Sequence, residues 1–116
     1  MTEAIWQDVC QLEELLPGTG VAILIDEEQV AVVRSSDGAA VYAISNYDPF
    51  SRANVMSRGI VGDRGGVPKI ASPMYKQNFD LRTGMCFDDA SVQLETYPVR
   101  VVDGRIQVAF ELGDTV

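Results

Sequence analysis

The chain has 116 residues, no histidine, two cysteines and a formal net charge of −8. That is one domain, long enough to bury a core. Without imidazole there is no Ser-His-Asp or Cys-His triad, no His-Glu-x-x-His zinc site and no imidazole acid–base catalysis. The net charge argues against nucleic-acid binding, and no apolar run approaches the ~20 residues of a membrane span.

The elements read mainly as β. Ile5 to Val9 alternates and predicts a first strand. Leu12 to Leu16 is expected to make one helical turn, stopped by Pro17-Gly18. Val21–Ile25 and Gln29–Arg34 read as a hairpin around Asp26-Glu27-Glu28. Asp37-Gly38 is a tight-turn signal, and Ala39 to Ile44 is the return strand. Residues 46–66 hold Asn, Pro, Ser and the glycines 59, 62, 65 and 66, which predicts a long irregular loop with little regular structure. Loops longer than ~12–15 residues are uncommon and usually functional or disordered, so this is where function is sought. Val67–Ala71 and Asn78–Leu81 read as short strands, Asp88-Asp89 as a turn, and 94–102 with 105–110 as a hairpin through Asp103-Gly104. Many short strands with closely spaced turns predict a β-sandwich or partly open barrel.

Charge is unevenly spread. Residues 52–82 hold six of the nine basic side chains (Arg52, Arg58, Arg64, Lys69, Lys76, Arg82) against Asp63 and Asp80, giving +4 there and −12 elsewhere. Two readings stay open: solvated loop charge, or a basic docking tip for an acidic partner surface. Gly62-Asp63-Arg64-Gly65-Gly66 is glycine-rich, but no βαβ context flanks it and no Gly-Lys-Ser/Thr follows, so it gives little support for a phosphate cradle. Asp48, Asp63 and Asp80 match no EF-hand spacing and support a hard-metal site equally weakly. Trp6 is expected in the core or at a packing edge. The N-terminus lacks a basic start and apolar core, so a cytoplasmic chain is expected. Cys10, beside the first strand, and Cys86, in a strand, are then expected to be reduced.

Two segments carry a stronger signal. Asn46-Tyr47-Asp48-Pro49-Phe50 stands where a Rieske iron–sulfur site has Cys-Pro-His, and Ser72-Pro73-Met74-Tyr75 where it has Cys-Pro-x-His. With Trp6, Val9, Pro17-Gly18, Phe79-Asp80-Leu81-Arg82-Thr83-Gly84, Tyr97 to Val101 and Asp103-Gly104, they resemble a Rieske-type ferredoxin domain over nearly the whole chain. Residues 46–63 and 72–77 resemble more narrowly the small subunits of assimilatory NAD(P)H-dependent nitrite reductases. The stretch 51–71 is somewhat longer than in Rieske ferredoxins.

The resemblance implies an all-β, Rieske-type ferredoxin-like sandwich or partly open barrel. It would form one domain over 1–116, with two degenerate cluster-binding loops at about 46–84. It also implies a non-catalytic subunit of an oxidoreductase that reduces nitrite to ammonium. That subunit would bind and support a large subunit carrying FAD, an iron–sulfur cluster and sirohaem. A Rieske centre needs two thiolates on one iron and two imidazoles on the other. Asp48, Phe50, Ser72 and Tyr75 stand at those positions, so no cofactor is expected in this chain. Phe50 and Tyr75 are expected to fill the vacated volume, and Asp48 and Ser72 to satisfy loose loop N–H groups, giving a tip ordered without metal. The contact residues expected toward a large subunit are Phe50, Arg52, Arg58, Tyr75, Lys76 and Arg82. The alternatives are a stand-alone Rieske-like adaptor and a small-anion-binding module; a free-standing electron carrier fails on its ligands.

Overall fold

The computed structural model describes residues 4–111. Its strands, in chain order, are β1 (Ala4–Gln11), β2 (Gly20–Ile25), β3 (Glu28–Arg34), β4 (Val41–Ser45), β5 (Tyr47–Asp48) and β6 (Ala53–Asn54). They continue with β7 (Ile60–Arg64), β8 (Val67–Ala71), β9 (Asn78–Asp80), β10 (Thr96–Tyr97), β11 (Val99–Val102) and β12 (Arg105–Glu111). Short 3-10 turns at Leu12–Glu14 and Met56–Arg58 are the only helical pieces among the described residues.

The fold has three layers. The middle sheet runs β10-β4-β3-β2, β1-β12-β11 lies on one side of it, and β7-β8-β9 on the other. All pairings are antiparallel, and the sheets do not close into a barrel.

β3 explains why there are three layers. Its run Val30-Ala31-Val32-Val33 is fully buried. Side chains on a strand alternate between faces, and the run divides accordingly. Val30 and Val32 join Leu15, Ile25, Ala43, Ile106 and Val108 in one core; Ala31 and Val33 join Ile44, Met56, Ile70, Phe79 and Leu81 in the other. A continuous apolar run is what a strand covered on both faces requires.

Two expectations need correction. Residues 46–66 are not one irregular loop: they contain the two-residue ladder β5–β6, a 3-10 turn, and β7 paired along its length with β8. The glycine-rich stretch is the β7–β8 turn, with Gly65 at φ 57° and Gly66 at φ 89°. Positive φ at both central residues is the hairpin geometry that matches strand twist, and Gly-Gly adopts it readily. Second, 94–102 is not one strand. Thr96–Tyr97 pairs with β4, while Val99–Val102 pairs with β12. Pro98 between them has no N–H to extend the first ladder, and its carbonyl accepts from Ala109 N–H in the other sheet at 2.9 Å.

The layering sets an expected mutational pattern. Val32→Ala and Val33→Ala face opposite cores, and each should lose about 2 kcal/mol of unfolding free energy in urea titration. Val21→Ala, at a side chain 38% exposed, should lose less than about 0.5 kcal/mol. A large loss at Val32 with none at Val33 would contradict burial on both faces.

Candidate functional site

Loop one follows β5 and loop two follows β8, and they are built alike. The Asp48 carbonyl accepts from Arg52 N–H at 2.7 Å, and the Ser72 carbonyl from Lys76 N–H at 3.0 Å. Each loop closes on a left-handed residue, Arg52 at φ 58° and Lys76 at φ 64°. Each opens with a side-chain oxygen that accepts from the N–H two residues on: Phe50 N to Asp48 Oδ1 at 2.9 Å, and Met74 N to Ser72 Oγ at 3.3 Å. Pro49 and Pro73 hold the second position with the torsion such turns need.

The two loops are joined where they open. Ser72 Oγ donates to Asp48 Oδ2 at 2.5 Å, and both side chains are fully buried. Ser51 Oγ donates to the same carboxylate oxygen at 2.8 Å. Burial alone would raise the Asp48 pKa. The hydrogen bonds from Ser72, Ser51 and the N–H groups of Phe50 and Ser51 outweigh it and hold the carboxyl below its ordinary value. Asp48 is therefore ionised at neutral pH, as a buried acceptor served only by donors.

The donor set does not fit a Rieske cluster. Phe50 has no ligating atom, Asp48 and Ser72 are hydrogen-bonded to each other, and the sequence contains no histidine. The expectation that both aromatics fill the vacated volume needs correction. Phe50 is half-buried with its ring centroid 6.2 Å from that of Phe79 in the core. Tyr75 is 62% exposed and fills nothing. Loop two turns it outward together with Met74, which is 55% exposed.

Both loops are anchored from beneath. Asn46 is buried and clamps loop one: its Nδ2 donates to Gln29 Oε1 at 3.0 Å, and its Oδ1 accepts from Ser57 N–H at 2.7 Å. Behind loop two, Phe79 is fully buried and Asp80 nearly so. Asp80 accepts from Arg82 N–H at 2.8 Å and pairs with its guanidinium at 3.2 Å. Gly84 ends that segment at φ 80°, where a Cβ would overlap the Leu94 carbonyl oxygen. The Phe-Asp-x-x-Thr-Gly spacing thus describes a buried aromatic, a charged turn and an obligatory left-handed glycine.

The basic residues do not form one patch. Lys69 Nζ donates to Asn78 Oδ1 at 2.6 Å, the Arg64 guanidinium lies over the Phe87 ring at 4.7 Å, and Arg82 is held by Asp80. Arg52, Arg58 and Lys76 are exposed. Asp48, Asp63 and Asp80 are not brought together. Asp63 caps the β7–β8 turn through Gly66 N–H at 3.1 Å, and no group of three or more potential metal ligands occurs among the described residues. Cys10 and Cys86 are both free. The sequence reading missed Ser51, although Asp-Pro-x-Ser is a legible turn pattern, and gave no role to Met74.

This fold, with its paired proline loops, defines a class: the chain belongs to the family of Rieske-like [2Fe-2S] domains, whose model matches residues 5–109. Within that class it belongs with the nitrite reductase small subunits. It is 44% identical over 103 residues to the nitrite reductase (NADH) small subunit of Salmonella typhimurium, covering 89% of this chain and 95% of that one. A crystal structure named as an NADH-dependent nitrite reductase small subunit of Mycobacterium tuberculosis superposes with a TM-score of 0.88 at 51% identity, covering 93% of this chain and 96% of that one. A third relative differs in kind. The nitrite reductase [NAD(P)H] large subunit of Klebsiella oxytoca is 40% identical over 103 residues, which are 89% of this chain but 11% of that one.

The carboxylate link sets a pH dependence. A depressed native pKa means the stabilisation is complete above the unfolded value of ~3.9 and is lost as pH falls through the native value. Asp48→Ala should lose about 3 kcal/mol at pH 7, because the donors at Phe50 N–H and Ser72 Oγ are orphaned. Asp48→Asn should lose about 1–2 kcal/mol and show a shallower decline in acid. Ser72→Ala should raise the Asp48 midpoint in a carboxyl NMR titration; an unchanged midpoint would remove Ser72 from the link. Because the joint is made of protein groups, excess chelator should leave the melting temperature unchanged.

Proposed function

We propose that this chain is the non-catalytic small subunit of a cytoplasmic nitrite reductase driven by reduced nicotinamide, and that it binds and supports the large subunit. The observation that carries this reading is the alignment with nitrite reductase small subunits over 95% of their length. The absence of a cluster donor set agrees with it, since a subunit without a redox group has to act through contact. The redox chemistry of nitrite reduction to ammonium then belongs to the partner, where FAD, an iron–sulfur cluster and sirohaem are expected. This chain contributes to an oxidoreductase without holding a catalytic residue.

The docking face follows from what is exposed at the loops. Arg52, Arg58 and Lys76 supply exposed positive charge in a chain of net −8, and Met74 and Tyr75 supply exposed apolar area on loop two. Exposed aromatic side chains concentrate binding energy at interfaces, and exposed charge steers encounter. The surface that fits it is acidic at the rim and apolar at the centre. Phe50 supports the loop from inside through Phe79, and Arg82 is partly occupied by Asp80, so both serve the face indirectly.

Two experiments test the reading. The tagged chain, used as bait in extract from cells grown on nitrite, should retain a large partner with flavin and sirohaem absorption and nicotinamide-dependent nitrite reduction. A lone colourless chain, from extract that contains the reductase, would defeat it. The double variant Arg52→Glu/Arg58→Glu should keep the wild-type melting temperature and bind the large subunit at least about tenfold more weakly, with a reduced salt dependence. Unchanged affinity would move the docking face elsewhere.

A further inference from the structure

The Klebsiella oxytoca relative restricts how the two parts can be arranged. There a region matching this chain is 11% of a single large-subunit polypeptide, so one such domain is covalently joined to one catalytic chain. A joined domain docks most simply with its tethered end turned toward the rest of the polypeptide.

In this fold the outer ends of the first and last strands lie side by side. Ala4 and Glu111 are direct cross-strand partners at the ends of β1 and β12, so these two strand ends lie about 5 Å apart. Hydrogen bonds give their direction. Gln7 Nε2 donates to the Leu24 carbonyl at 3.3 Å, Leu24 pairs with Gln29, and the Gln29 carbonyl accepts from Asn46 N–H at 3.0 Å. Gln7 therefore lies level with the head of loop one. The other end of β1 is at the opposite pole: Leu12 N–H donates to the Gly104 carbonyl at 2.8 Å, and Arg34 reaches both the Leu12 and Gly38 carbonyls. From Gln7 back to Ala4 the strand extends about 10 Å further from that pole. The outer ends of β1 and β12 and the two loops thus occupy the same end of the molecule.

We propose that this chain binds its large subunit in a one-to-one ratio, with the paired strand ends and the two loops turned together toward the partner. The inference rests on the subunit reading above and adds to it a ratio and an orientation. The pole formed by Asp37-Gly38 and Asp103-Gly104 faces away, and a short connection from either strand end reaches the partner without crossing the molecule.

The test uses the full-length chain and the separately purified, intact large subunit. Native mass measurement at saturating small subunit should show one added 12.6 kDa chain for each large protomer. Hydrogen–deuterium exchange on the same complex should slow about tenfold at residues 46–58, 72–77 and the start of β1, and stay unchanged at the Asp37-Gly38 and Asp103-Gly104 turns. One small chain per two large protomers, or protection at the far pole, would overturn this inference alone. No complex at any concentration would overturn the subunit reading itself.

Discussion

One buried hydrogen bond sets the character of this molecule: Ser72 Oγ on the Asp48 carboxylate. It joins two loops that branch from different strands and share only this direct side-chain contact at their opening residues. A metal cluster would hold such loops by covalent ligation at a cost in specialised ligands. A carboxylate–hydroxyl pair holds them with residues that also begin their own turns. Asp48 is served by its own loop backbone and by the hydroxyls of Ser51 and Ser72, so its charge is stabilised where burial would otherwise expel it. The arrangement works only as a set. Removing the carboxylate alone orphans donors from both loops, and removing a donor leaves a buried charge less well served.

The joint is held in place by the layered core behind it. β3 is apolar on both faces, and its first residues support Asn46 through Gln29. Phe50 leans on Phe79, which lies in the same core as Ala31 and Val33. Loop position is therefore set by strands whose burial leaves them little freedom. Exposed side chains on the loops, Met74, Tyr75, Arg52 and Lys76, are presented from a braced base rather than from a free tip. Presentation of this kind reduces the ordering cost of an interface.

Most of the fold was legible in the sequence, for identifiable reasons. The β2–β3–β4 sheet announced itself through apolar runs and the Asp37-Gly38 turn, and β12 through its pairing across Asp103-Gly104. β7 was hidden because Gly59, Gly62 and a Gly-Gly pair read as breakers. Two of them are in fact the turn, and the ladder to β8 replaces the side-chain pattern that Gly62 erases. The change of sheet at Pro98 was hidden because the residues on both sides have equal strand character; only the missing N–H distinguishes them. At the site, the identities of the four replaced ligand positions were readable, but their fates were not. Phe50 and Tyr75 are both large aromatics, and sequence alone did not separate their fates. Phe50 turns inward and packs against Phe79, while loop two carries Tyr75 into solvent.

The same contrast bears on why a scaffold shaped for metal persists without it. The two proline turns differ in what they expose: loop one turns Phe50 inward and leaves Arg52 outside, while loop two turns Met74, Tyr75 and Lys76 outward. The shape of the tip depends on backbone turns and on the Asp48–Ser72 joint, neither of which needs iron. Electron transfer requires the ligand set as well, and a single phenylalanine at one position is enough to abolish it. What the two loops keep without the ligand set is a braced base with Arg52, Met74, Tyr75 and Lys76 exposed on it. Side chains held on such a base lose less freedom when they are covered.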